Sequence, residues 1–286
     1  MRSEAGFSFP VLLGVIFAMG MSSTGFAAEI IAHRGASFDA PENTLRSVRL
    51  AWEQNADAVE CDVYLSKDGK IVLMHDRTPK RYGGPDRPVA SMTWEELSLL
   101  DVGAWKGTQF QGEKVPLLSD VLKTIPEGKR LFIEIKTGPE IVPELKRVLT
   151  EAARPADQTA IICFNSQVIA RTVEELPQLQ SYWLVSMKDK NQPPVDVNHV
   201  IATARKLRAH GVDIGGDTKL IDESFVNSLH NARIPCYVWT VNDPAEAKRL
   251  ANLGVLGITT DKPQLLRTEK IGEISITPKS QSTLSN

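Results

Sequence analysis

The sequence predicts an α/β chain folded as a closed TIM (β/α)8 barrel with a small cap inserted after the second strand, and three observations carry that prediction. Short β-branched runs recur eight times along the chain, and helix-like apolar spacing fills the segments between them. One stretch breaks the alternation, and it lies directly after the second run. Strands that alternate with helices pair in parallel through right-handed crossovers, and eight such units in about 250 residues suit a closed barrel better than an open doubly wound sheet.

In chain order, the first run covers 29–32 and is followed by helical spacing at Leu45, Val48 and Trp52. The second covers 58–64, the third 131–136 and the fourth 160–164. The rest cover 182–187, 212–215, 235–240 and 255–260. Helical periodicity marks Val142-Leu145-Val148-Leu149, Val168-Thr172-Leu176, Ile201-Ala204-Leu207 and Ala247-Leu250-Leu253. The interruption is the run 71–76, which follows the second strand after only Lys67-Asp68-Gly69-Lys70. Asp-Gly between apolar runs is a strong hairpin signal, so this pair is expected to be antiparallel. A two-residue Asp68-Gly69 turn would set Lys67 against Lys70 and bring Asp62 directly opposite His75 on one face. The following segment, about 77–116, is rich in Gly and Pro, with a capping box at Thr93-Trp94-Glu95-Glu96, and reads as the cap.

With 42% apolar and 24% charged residues in 286, the chain can bury a core of ordinary size. A net charge of -2, with both signs mixed throughout, leaves no basic stripe for nucleic acid. The first residues resemble an export leader: Arg2, an apolar run over 11–21, then small residues around Ala27-Ala28. That run is shorter than the ~20 residues of a membrane span. The expected organisation is therefore a leader over 1–28, a barrel over 29–270 and a loose Ser/Thr-rich tail over 271–286. The mature protein is expected in the periplasm or secreted, without stable membrane insertion. Cys61, Cys163 and Cys236 each fall inside a strand-like run, which suits buried thiols rather than disulfides or a zinc site.

Barrels of this class carry their sites at the C-terminal ends of the strands, and the ionisable strand residues gather there. The first strand ends in His33-Arg34-Gly35, the second carries Glu60 and Asp62, and the third carries Glu134 and Lys136. Alternation puts Glu60 and Asp62 on one face and Glu134 and Lys136 on one face, with Cys61 and Ile135 turned toward the helices. The hairpin delivers His75 beside them. Three carboxylates in one partly buried mouth would repel and drive their pKa values up. A divalent cation removes that repulsion, and the all-oxygen donor set favours Mg²⁺ or Ca²⁺. Arg34 and Lys136 then require an anion, which a bridging phosphate supplies. His33 and His75 on separate strands suit general acid and base on opposite sides of phosphorus, so the cluster reads as metal-assisted phosphodiester cleavage. Taken singly, each element is as well explained as a strand-end ion pair; their common end of consecutive strands is what points to a site. Trp239 could wall the site against a carbon skeleton or pack in the core, and Glu42 could hold Arg34 by a charge-assisted bond or sit solvated. His199, His210 and His230 fall in or beside polar helices and are expected to be solvated.

The segments HRG at 33–35, PENT at 41–44, VECDVYLSKDGKIVLMHD at 59–76, FIEIK at 132–136 and VWTVN at 238–242 together resemble the glycerophosphodiester phosphodiesterase family. The resemblance runs from about residue 29 to 265. It implies a TIM barrel with an inserted cap and hydrolysis of glycerophosphodiesters, such as glycerophosphocholine or glycerophosphoethanolamine, to glycerol 3-phosphate and an alcohol. By position it implies His33 and His75 as the acid/base pair, Glu60, Asp62 and Glu134 as metal ligands, and Arg34 and Lys136 as phosphate contacts. Glu42 matches an acidic position near the metal and would be an additional or water-mediated ligand. It also implies first attack by the glycerol 2-hydroxyl to give a cyclic phosphate. Arg81-Tyr82-Gly83 stands where related sequences often carry an Arg-Thr-Thr-like run. Two other functions compete: a phosphodiesterase for lysophospholipids or phosphatidylinositol, for which Tyr82, Met92, Trp94 and Trp105 would form an apolar opening unless they make up the cap's own small core, and a diester-binding protein without turnover.

Overall fold

The computed structural model describes residues 28–187 and 195–271. Except for Ala28 and Ile271, the expected leader and C-terminal tail lie outside these residues. The strands are β1 (Glu29–His33), β2 (Ala58–Leu65), β3 (Ile71–Leu73), β4 (Arg130–Ile135), β5 (Thr159–Cys163), β6 (Gln180–Ser186), β7 (Gly211–Gly215), β8 (Cys236–Trp239) and β9 (Gly257–Thr260). All but β3 pair in parallel with both neighbours, and β1 pairs with both β9 and β2, closing an eight-stranded barrel. Each barrel strand is followed by a helix before the next, from Leu45–Glu53 after β1 to Pro263–Thr268 after β9. The fold is therefore the predicted (β/α)8 barrel.

Why the strands read as nearly continuous apolar runs follows from burial on both faces. The outward residues Val59, Cys61, Val63, Leu131, Ile133 and Ile135 pack under the helices. The inward face at the bottom is filled by Phe132, Tyr182 and Tyr237, with ring centroids 4.8–6.0 Å apart. Helix ends obey local chemistry. Thr44 and Ser47 form a reciprocal capping box at the start of Leu45–Glu53, and Asp243 caps Pro244–Leu253, which stops at the left-handed Gly254. The three cysteines are free and buried, as expected. His199, His210 and His230 are exposed. Among the described residues no helix is long and apolar enough to cross a membrane.

The hairpin is antiparallel, but its register differs from the expectation. Val63, Tyr64 and Leu65 oppose Leu73, Val72 and Ile71. The turn is a three-residue loop, Lys67-Asp68-Gly69, closed by Ser66 N–H donating to Lys70 O (2.8 Å) and by Gly69 at φ +77°. The extra loop residue in a left-handed conformation shifts the ladder by one, and a one-residue slip turns every side chain to the other face. Asp62 consequently accepts from Met74 N–H (3.1 Å), not His75, and His75 reaches the mouth from beyond the end of β3.

Beyond the hairpin the chain forms 3₁₀ turns at Pro79–Tyr82, Val89–Ser91 and Thr108–Phe110, with one short helix, Trp94–Ser98, capped by the Thr93–Glu96 box. Tyr82, Met92 and Leu97 are buried with Tyr64, Val72 and Met74 in a separate small core, and Trp94 packs against it. Three of the four side chains proposed for an apolar opening are thus spent inside the cap. The fourth, Trp105, stays 40% exposed beneath the cations of Arg81 and Lys106.

Candidate active site

The end of β1 answers why a strand should finish in His-Arg-Gly. Arg34 (φ +58°) and Gly35 (φ +79°) both take left-handed conformations, so the chain reverses over the barrel mouth. A Cβ at Gly35 would lie 2.5 Å from Ser47 C, so no other residue fits. Arg34 accepts the unfavourable φ because its backbone is held on both sides. Its N–H donates to Glu60 Oε2 (2.9 Å), and its carbonyl accepts from Asn43 N–H (3.0 Å) and Ser47 Oγ (2.9 Å). The reversal aims its guanidinium back at the mouth, 3.1 Å from Glu42 and 3.2 Å from Asp62.

Pairing of β2 with β4 sets Asp62 beside Glu134. Glu60, Asp62 and Glu134 each offer an oxygen, and these lie within 4.8 Å of one another. Burial pushes Glu60 well up, and Asp62 and Glu134 add repulsion; burial and Asp62 push Glu134 up to about 7. Asp62 does not follow the expected upward shift. Its complete burial would raise it, but Arg34 and Lys136 on either side hold it below the usual carboxylate range. Lys136 Nζ is 2.7 Å from Glu134 and 3.3 Å from Asp62; burial would lower its ammonium pKa, but these two carboxylates outweigh that and raise it. Asn43, at φ +54°, grips Asp62 twice: Nδ2 donates to Oδ2 (2.8 Å) and Oδ1 accepts from the backbone N–H (3.0 Å). Glu60 Oε1 and Asp62 Oδ1 are buried without a hydrogen-bond partner among the described residues. Buried, converging carboxylate oxygens at this spacing fit a hard divalent cation.

Both histidines are oriented in the same way. His33 Nδ1 lies 2.7 Å from Asp261 Oδ1, and His75 Nδ1 lies 2.8 Å from Asp76 Oδ1. Although burial works against it, Asp261 is held down to about 2 by His33, Asn242 and Ser37, so it remains an acceptor and fixes the Nδ1–H tautomer. Each Nε2 is thereby left for proton transfer. Burial also lowers the pKa of His75, favouring its neutral form. Glu42 makes the charge-assisted bond to Arg34, and it also accepts from Arg81 (2.5 Å) and Tyr82 Oη (2.9 Å), while Arg81 Nε reaches Asp76 (2.7 Å). The cap thus ties the first loop to the carboxylate behind His75. Glu42 lies outside the group of three carboxylates whose oxygens converge.

One cavity of about 80 Å³ collects these groups, lined by His33, Arg34, Glu60, His75, Glu134 and Lys136, with Trp239 beside them. Asp62 lies beneath it, bridging Arg34 and Lys136. Trp239 is half-buried there, edge-on to Phe164 at 5.7 Å. A larger groove of about 810 Å³ runs outside the barrel between Leu45–Glu53 and the cap, and it holds none of the clustered groups. Chemistry, not size, selects the mouth. Sequence reasoning missed Asn43, Asp76, Arg81, Asp213 and Asp261. Asp261 follows the last strand directly and Asp213 interrupts an apolar strand, so the strand-end and alternation rules reach both.

Comparison with known proteins agrees with this geometry. Residues 33–265 match the model of the glycerophosphoryl diester phosphodiesterase family. A glycerophosphodiester phosphodiesterase of Caldanaerobacter subterraneus is 30% identical over 241 residues, covering 83% of this chain and 95% of the relative. A mouse protein described as lysophospholipase D GDPD1 is 24% identical over 270 residues, covering 85% and 86%. Among solved structures, a phosphodiesterase of Oleispira antarctica in complex with the product sn-glycerol-3-phosphate superposes with a TM-score of 0.75 at 29% identity, covering 85% of this chain and 96% of that one. The barrel, the converging mouth and these matches together establish that the chain belongs to the glycerophosphoryl diester phosphodiesterase family and is a phosphodiesterase that hydrolyses glycerophosphodiesters.

Proposed function

We propose that the protein cleaves glycerophosphodiesters such as glycerophosphocholine or glycerophosphoethanolamine to sn-glycerol 3-phosphate and an alcohol, with His33 and His75 moving the protons. The observation that carries this reading is the meeting, in one mouth, of three carboxylates whose oxygens converge within 4.8 Å and two imidazoles whose Nδ1 atoms are each held by a carboxylate. Glu60, Asp62 and Glu134 would hold a divalent cation, Mg²⁺ or Ca²⁺. Bound there, the cation supplies neutralisation of the phosphate charge. Arg34 and Lys136 bind and orient the phosphate, the former through a planar fork and the latter as a point charge. The glyceryl 2-hydroxyl loses its proton to one imidazole as its oxygen bonds to phosphorus. The other imidazolium protonates the departing alcohol oxygen as that P–O bond breaks. Water then opens the cyclic phosphate with the two roles reversed. His75, held neutral by burial, suits the first acceptor.

The apolar leader-like run over 11–21 supports export to the periplasm or the exterior. The deciding experiment is release of sn-glycerol 3-phosphate from glycerophosphocholine by protein stripped with EDTA and resupplied with Mg²⁺ or Ca²⁺. Turnover should vanish on stripping and return with a divalent ion. Cleavage of lysophosphatidylcholine in preference to glycerophosphocholine would replace this reading with a lysophospholipase one, and tight binding without turnover of either would leave a binding protein.

A further inference from the structure

The mechanism leaves one buried ionisable side chain in the mouth without a task. Asp213 sits at the centre of β7 and is 1% exposed. Val212 and Ile214 on either side pack outward among the helices, so alternation turns Asp213 into the barrel. It lines the same cavity as His33, Glu60 and Glu134, from a strand four places round the barrel from β2, on the wall that Ile162, Leu184 and Trp239 also form. Its Oδ1 has no hydrogen-bond partner among the described residues. A buried acceptor without a partner is unfavourable, and a ligand donor would satisfy it.

The neighbourhood is shaped to keep that carboxyl facing the cavity. A Cβ on Gly215 would lie 2.3 Å from the Trp239 indole, so glycine alone lets the ring rest on β7. There the indole Nε1 donates to the Asp213 carbonyl (3.3 Å) and leaves the carboxyl free. Asp213 is not among the carboxylates whose oxygens could share one metal ion. Arg34 and Lys136, to which the proposed function assigns the phosphate, follow β1 and β4, each three strands from β7 round the barrel. What remains near Asp213 is the organic part of the ligand, and the rest of its wall is apolar apart from Thr259.

We propose that Asp213 accepts a hydrogen bond from a free hydroxyl of the substrate's glyceryl group, and so selects polyol phosphodiesters and fixes which end of the diester enters the mouth. The assignment rests on the phosphodiesterase reading above. A specificity role also explains why an orphaned carboxyl is kept where a leucine would pack.

The test is calorimetric titration of the metal-loaded full chain with sn-glycerol 3-phosphate and, separately, with inorganic phosphate. Asp213→Ala and the volume-filling Asp213→Leu should each weaken sn-glycerol 3-phosphate by about tenfold, one buried hydrogen bond, while phosphate binding is unchanged. Asp213→Asn, whose amide oxygen still accepts, should keep affinity within about threefold. The melting temperature of Asp213→Leu should equal or exceed that of the native chain, because an unpaired buried carboxyl is removed. Loss of both ligands equally, retention of both, or a fall in melting temperature that tracks the loss would overturn the assignment. A native chain that binds sn-glycerol 3-phosphate no better than phosphate and does not release it from glycerophosphocholine would remove the underlying phosphodiesterase reading instead.

Discussion

The two ends of this barrel hold the same kinds of groups and treat them in opposite ways. At the bottom, the partly buried Arg130 donates to both oxygens of Glu29 (3.0 and 2.9 Å), to Tyr237 Oη (3.3 Å) and to Gln180 (2.5 Å), and its guanidinium lies 4.8 Å from the Phe132 ring centre. Its charge is fully answered from within the protein. At the mouth, Glu60, Asp62 and Glu134 crowd together beside two cations while Asp213 lines the same cavity from β7, and Glu60, Asp62 and Asp213 each keep a buried oxygen with no hydrogen-bond partner among the described residues. A buried pair that is complete holds structure, whereas an incomplete set stores unfavourable energy that a ligand releases. The contrast separates residues that stabilise from residues that act.

The largest expected effect tests the acting end. His33→Ala or His75→Ala should lower kcat by roughly a thousandfold while the melting temperature and divalent-ion affinity hold, measured by turnover alongside calorimetry. A comparable fall in stability would erase the contrast. Next, Glu60→Gln should cost about a hundredfold in metal affinity yet raise the melting temperature of the metal-free protein, since one repelling charge leaves the cluster. Reversal of the second effect would mean that the cluster is structural.

At the bottom the expectation inverts. Arg130→Ala should cost about 2 kcal/mol in denaturant unfolding, a value moderated by partial exposure of the pair, with kcat unchanged. The smallest effect sharpens the comparison through pH. Glu134 is raised to about 7, so a bound cation must displace its proton at lower pH. Metal affinity should therefore fall about tenfold from pH 8 to pH 6. Metal-free stability should run the other way, because a carboxyl with a raised folded pKa stabilises below its unfolded value and loses that contribution as pH rises through about 7. Denaturation of the stripped protein at the two pH values checks the sign.

Much of the site was legible because strand ends are readable. His33, Arg34, Glu60, Asp62, Glu134 and Lys136 fall at the same end of three consecutive strands, and the structure brings them to one mouth. His75 was reached by the wrong route. The expected ladder put it opposite Asp62, whereas the three-residue loop closed by Gly69 moves Met74 there and leaves His75 beyond the strand. Both routes deliver His75 to the mouth, because the hairpin rises from β2 in either register.

What the sequence determined by itself was the alternation that closes the barrel and the chemistry gathered at its upper rim, since both depend on spacing within single strands. Only the tertiary structure decided which partners complete that chemistry. Asp261 meets His33 across 228 positions of chain, Arg81 reaches Glu42 across 39, and Asp213 faces the carboxylates from four strands away. Closing the sheet creates those contacts, and no local periodicity encodes the distance between two strands until the ring is complete. The opposite pKa directions of Asp62 and Glu60 arise in the same way, because two side chains with like chemistry on one strand differ chiefly in how strongly Arg34 and Lys136 act on them.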